Sequence, residues 1–196
     1  MDVKDILIKA EQCALQSEYE KLVQLYKELL DHKPYQIDAL INITDTLIRQ
    51  NKSLEAEQFA LDAYLLYKEI DDMTVVNYSC VLYQKKELDK AIQICEIACQ
   101  QGSNNSLLYQ NLGYYYMHKG RYQKALKCYN YAIKLSKTEP LAYCNRGILR
   151  YFIFNDNGGI ADLLKAHHLK DPEATEILQI IAKQRKKRLL KYSNME

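Results

Sequence analysis

The sequence predicts an all-α fold, a right-handed superhelical solenoid of five helical hairpins closed by a C-terminal capping helix. Three observations predict it. Gly and Pro together number nine in 196 residues, too few for the turns that sheets and loop-built sites need. Small residues recur at fixed offsets with a period of thirty-four. Large residues recur between them at the spacing of two helices per period.

The clearest unit is residues 106–139. With Ser106 as position 1, Tyr109, Leu112, Gly113, Tyr116, Tyr122, Ala125, Tyr129 and Ala132 occupy positions 4, 7, 8, 11, 17, 20, 24 and 27. A shift of thirty-four gives residues 140–173, with Tyr143, Arg146-Gly147, Gly159 and Ala166 in the same places and Asp171-Pro172 at the end. Shifting backward gives residues 72–105, with Ser79, Leu88, Ala91 and Ala98. Residues 37–71 are one longer and carry Leu40, Ile43-Thr44, Leu47, Ala56, Ala60 and Ala63. Residues 3–36 carry Ala10, Tyr19 and Tyr26, with Pro34 near the end.

Each unit reads as helix A over positions 1–14 and helix B over 18–31. Small residues at 8 and 20 let the two backbones approach, and the one at 27 admits the next helix A. Large residues at 4, 11, 17 and 24 fill the seam. A lone hairpin cannot bury its apolar face, so neighbours must stack. The array resembles the tetratricopeptide repeat family, with Tyr replacing the usual Trp and Phe. Residues 174–192 follow as the capping helix: Asp171-Pro172 signals its start, and Ile177, Ile180, Ile181, Leu189 and Leu190 make it amphipathic. It is expected to pack on the last hairpin and offer solvent a polar face.

The resemblance implies that helix A lines a concave groove, with positions 2, 5, 6, 9, 12 and 13 facing a ligand. Position 6 reads Ile8, Asn42, Asn77, Asn111 and Asn145. The four asparagines resemble the asparagine ladder of peptide-binding arrays such as O-linked N-acetylglucosamine transferase and kinesin light chain. An amide offers both donors and an acceptor, which matches an extended peptide backbone; the competing reading has these amides bonding inside the array. Tyr114, Met117 and Tyr151 are expected to hold apolar side chains of a peptide. Phe152 shares that region, and packing against the next unit or the cap is preferred for it. The carboxylate clamp of chaperone-tail-binding relatives is missing, because position 5 is never basic and position 2 reads Lys4, Asp38, Met73, Leu107 and Leu141.

Other chemistry finds no support in the sequence. Cys95 and Cys99 share a helix face but have no second pair of ligands for a metal. His167-His168 point about 100° apart on a helix, and one of them is expected partly buried. Asn157-Gly158-Gly159 follows no strand, so close packing explains it better than a phosphate cradle. No nucleophile has its base, so neither an enzyme nor a cofactor is expected.

Lysine and arginine number 27 against 25 acidic residues, and six of the bases lie in the acid-free run Lys183–Lys191. A solvated face of the cap is the preferred reading of that run. An acidic partner, nucleic acid or anionic lipid is the alternative. With no export signal or membrane span in the sequence, a cytoplasmic protein with reduced cysteines is expected. The function expected is an adaptor or scaffold holding an extended peptide of another protein. A chaperone for a secreted substrate and a self-assembling repeat protein are the alternatives.

Overall fold

A computed structural model describes residues 2–68 and 71–193, with side chains through residue 187. The chain forms two compact units, one ending at Ser103 and the other beginning at Asn104. The first contains α1 (Val3–Leu15), α2 (Tyr19–Glu28), a 3-10 turn at Lys33–Tyr35, α3 (Gln36–Arg49), α4 (Ser53–Tyr67), α5 (Asp72–Gln84) and α6 (Leu88–Gln100). The second contains α7 (Ser106–His118), α8 (Tyr122–Leu135), α9 (Pro140–Ile148), a π-helical turn at Leu149–Ile153, α10 (Gly158–His168) and α11 (Pro172–Ser193). Among the described residues there is no strand.

The pairs reverse direction by one recurring device. Ser17, Asn51, Lys86 and Gly120 all stand at position 15, and all are left-handed, with φ of 57°, 59°, 66° and 69°. In each turn the next amide reaches back to the carbonyl five residues earlier: Glu18 to Cys13, Lys52 to Leu47, Glu87 to Leu82 and Arg121 to Tyr116, at 2.8–2.9 Å. This is the Schellman closure, which satisfies carbonyls that the helix end leaves open. After α9 the π turn absorbs one extra residue. The left-handed position therefore moves to Asn155, φ 53°, and the Asp156 amide bonds the Arg150 carbonyl at 2.7 Å. Among the described residues, side chains bond the first amides of several helices. Asp71 Oδ1 accepts from the Met73 amide, Asn105 Oδ1 from Leu107 and Leu108, and Asp171 Oδ1 from Ala174.

Inside the pairs the small residues do what their spacing implies. Ala56, Ala91 and Ala125 at position 20 are fully buried, as are Thr44 and Ser79 at position 8. A Cβ on Gly113 would stand 2.7 Å from the Tyr129 ring, and one on Gly159 would stand 2.5 Å from the Gly147 carbonyl oxygen. The first pair departs from the rule, with Leu22 and Leu29 at positions 20 and 27, both buried. Helix α11 covers the last pair through Ala174, Ile177, Leu178 and Ile181, which meet Tyr143, Cys144, Leu163 and Ala166.

Some expectations fail in detail. Ile180 is 50% exposed, because the apolar stripe of α11 runs through Ile177, Leu178 and Ile181 and leaves it on the outside. Phe152 is 48% exposed and meets the Tyr151 ring edge-on, at 4.9 Å between centroids. It lies within the π turn Leu149–Ile153 and does not pack on the cap as expected. His167 and His168 are both exposed, and His167 Nδ1 lies 2.7 Å from Thr175 Oγ1. The side chains of Arg188, Leu189, Leu190 and Lys191 lie outside the described residues.

Candidate peptide-binding face

Helices α3 and α5 lie side by side in the first unit, and α7 and α9 in the second. Each is a helix A, so the asparagines fall at matching places on neighbouring helices. Their amides have different occupations. Asn42 Nδ2 donates to the Asp38 carbonyl of its own helix at 2.7 Å. Asn77 is 4% exposed, and its Nδ2 donates to the Ile41 carbonyl on α3 at 3.1 Å. Two turns on, Gln84 Nε2 repeats the contact to the Ile48 carbonyl at 3.3 Å. In the first unit the amides therefore serve the array itself, α5 being fastened to α3.

In the second unit the two asparagines differ from each other, Asn111 having an interaction of its own. Asn111 and Asn145 are both half-buried, and among the described residues the Asn145 amide has no hydrogen-bond partner. Tyr114, Met117 and Tyr151 are also half-buried. On α7, Asn111, Tyr114 and His118 lie three and four residues apart and share a face; the Tyr114 and His118 rings stand 4.4 Å apart. On the neighbouring α9 and its π turn, Leu141 and Phe152 are exposed and Asn145 is half-buried. Tyr151 departs from the expectation that it lines the groove: with Ile148 it packs on the core shared by α9, α10 and α11, its backbone lying against Gly159 of α10. One unit thus collects amides and apolar rings on one pair of adjacent helices. A π turn widens a helix locally and re-aims the residues after it.

The sequence reading missed a charged cluster beneath this face. Arg146 stands where its counterpart in the preceding unit is Leu112, and it forms a fork with Asp162, Nε to Oδ2 at 2.9 Å and Nη2 to Oδ1 at 2.6 Å. The side chains are 18% and 7% exposed. Arg146 Nη1 also donates to Asn130 Oδ1 at 2.8 Å. Arg150 bridges Asp162 at 3.0 Å and Asp156 at 2.7 Å. The Arg150 guanidinium, helped by the Gly158 amide, holds the Asp156 carboxyl below the ordinary carboxylate range. Together these bonds tie α8, α9, the π turn, the following loop and α10 into one frame. The signal was available: a basic residue at a position meant for Leu, with an acid sixteen residues later on the facing helix.

The remaining candidates are quiet. Cys95 and Cys144 are fully buried, and burial pushes the Cys144 thiol well above its ordinary value. Among the described residues no group of His, Cys, Asp or Glu is placed to hold a metal ion. No helix of the described residues is long and apolar enough to cross a membrane. Lys183, Arg185, Lys186 and Lys187 are exposed on α11, with Arg185 reaching Asn157 Oδ1 at 3.3 Å.

Comparison with known proteins agrees with the helical-repeat fold. A sequence model of the tetratricopeptide repeat matches residues 113–151. No curated protein matches the sequence. Among solved structures, a tetratricopeptide protein of Thermus thermophilus, TTC0263, superposes with a TM-score of 0.74 at 16% identity, covering 90% of this chain and 99% of that one. MamA of Desulfovibrio magneticus RS-1 gives 0.64 at 16% identity over 87% of this chain and 96% of its own. YrrB, described as a tetratricopeptide protein with an unusual peptide-binding site, gives 0.58 at 15% identity over 91% and 92%. Identities this low speak for the fold alone, which is generally that of non-catalytic protein–protein interaction scaffolds. The chain has the all-α fold of tetratricopeptide repeat proteins and carries, across residues 113–151, a repeat of that family.

Proposed function

We propose that the protein is an adaptor that holds an extended segment of another protein on the α7–α9 face of its second unit. The observation that carries this reading is the unengaged amide of Asn145 on α9, with Asn111, Tyr114 and Met117 on the adjacent helix. Amides at matching places on neighbouring helices suit the regularly spaced C=O and N–H groups of an extended chain. Tyr and Met offer large, adaptable apolar contact beside them. The buried Arg146–Asp162 fork supports the face from below, which favours a preformed site. The YrrB description supports the reading by fold analogy only. In this reading Asn42 and Asn77 play a smaller part, since the Nδ2 group of each already donates to a backbone carbonyl.

The test is selection from a displayed peptide library on the immobilised protein, followed by calorimetry with a synthetic hit. Asn111→Ala with Asn145→Ala is expected to weaken binding by roughly tenfold or more, the effect of about 1.4 kcal/mol. Unchanged affinity in the double variant would remove the face from the mechanism.

A further inference from the structure

The first helix has the docking surface of a middle helix and nothing seated on it among the described residues. In the first unit α5 lies against α3, and that contact covers positions 5, 6 and 13 of α5. Val76 is 5% exposed, Asn77 is 4% exposed, and Gln84 is half-buried with its amide on α3. At the same three positions α1 carries Leu7, Ile8 and Leu15, which are 39%, 48% and 81% exposed. Three large apolar residues in one helix face are unusual for open solvent, where single scattered ones are the norm.

The charge of the two units indicates what fits there. Up to Ser103 the chain has eleven basic and eighteen acidic residues, a net of −7. From Asn104 onward it has sixteen basic and seven acidic, a net of +9. The overall +2 therefore hides two oppositely charged units. On α1, Ile8, Glu11 and Leu15 lie along one face, and all three are exposed. On α11, Ile180, Lys183 and Lys187 lie along one face at the same spacing, and all three are exposed as well.

We propose that the protein associates head to tail with a second copy of itself, the α1 face of one copy seating on the α11 face of the next. Ile8 and Leu15 meet the Ile180 side of α11, and the lysines face Glu11 and the acidic first unit. Like units repel, so the contact is heterologous rather than two-fold. A heterologous contact leaves one free α1 face and one free α11 face on every open assembly and permits growth by addition. Opposite net charges speed the encounter and make it sensitive to salt.

The experiment is light scattering after size exclusion, across a wide range of protein concentration and at low and high salt. It uses the full chain and two variants at exposed sites, each checked for helicity by circular dichroism. One is Ile8→Glu with Leu15→Glu, and the other is Lys183→Glu with Lys187→Glu. The wild-type mass is expected to rise with concentration and to fall at high salt. Each variant alone stays monomeric. Mixed together they form a one-to-one dimer and grow no further, because each supplies the intact face that the other lacks. A wild type that stays monomeric throughout overturns the proposal. So does a variant that still associates alone, which is the signature of a two-fold contact, or a mixture that remains monomeric.

Discussion

The buried Asn77 amide donates to the Ile41 carbonyl one hairpin earlier, at 3.1 Å. A residue that looks like part of a ligand-binding ladder is thereby a fastener between α5 and α3. Its helix partner Gln84 repeats the bond two turns further on. Position within the repeat decides where an asparagine points, but its neighbours decide what the amide does.

The two kinds of asparagine should separate in a stability measurement. Asn77→Ala removes a buried side chain and its hydrogen bond, and is expected to cost about 1–2 kcal/mol. Asn145→Ala removes an amide with no partner among the described residues, and is expected to stay within about 0.5 kcal/mol of wild type. Urea unfolding followed by circular dichroism measures both. Equal costs would mean that Asn145 has a structural role the geometry does not show.

The tight contact between α9 and α10 makes a second prediction. A Cβ at Gly159 would meet the Gly147 carbonyl at 2.5 Å and the Tyr151 amide nitrogen at 2.6 Å. Both are backbone atoms and cannot swing aside. Gly159→Ala should therefore force α10 away from α9 and cost about 2–3 kcal/mol in spite of the higher helix propensity of Ala. Thermal unfolding of the variant checks it.

The Arg146–Asp162 fork makes a third. Asp162→Ala leaves two guanidinium groups without their shared carboxylate in a largely buried place, and is expected to destabilise by about 3–5 kcal/mol. Replacing both partners, Arg146→Met with Asp162→Leu, should recover most of that loss, since a desolvated ion pair is often matched by apolar packing of similar volume. A double-mutant cycle of Arg146→Met and Asp162→Leu, each alone and together, reads the coupling in unfolding free energies.

The left-handed turn residues make a fourth. Lys86 holds φ at 66°, where a Cβ is disfavoured and glycine is not. Gly120 already stands at the matching position in the next pair. Lys86→Gly is expected to be stabilising or neutral, within about 1 kcal/mol. Thermal unfolding checks it, and a loss above that range would show that the Lys86 side chain does more than turn the chain.

The helical pairs were legible because their causes are local and repeated. Ala56, Ala91 and Ala125 fall into register at position 20, and each is fully buried where two backbones meet. The turns were less visible. Ser17 and Lys86 adopt the conformation expected of glycine with no residue signal, because the Schellman bonds around them compensate the strain, whereas Asn51 is a residue that takes it readily. The π turn at Leu149–Ile153 was hidden altogether. It shifts the reversal by one residue while Gly159 and Ala166 keep their register, so the repeat count conceals it. At the candidate face, the ladder could be read as four equal asparagines, but the amide geometry that distinguishes Asn77 from Asn145 depends on the neighbouring helix. The Arg146–Asp162 fork had a signal in the basic residue at a Leu position, but its two halves belong to different helices and pair only through the hairpin.

The central claim is that the α7–α9 face receives a peptide backbone at Asn145. The most direct measurement follows the side-chain amide resonances of a nitrogen-15-labelled sample during titration with a selected peptide. The account predicts shifts for the Asn145 and Asn111 side-chain amides and the backbone amides of Tyr114 and Met117, with the Asn77 side-chain amide unmoved. Saturating binding that leaves Asn145 and Asn111 unshifted, or shifts confined to α8 and α10, would contradict it.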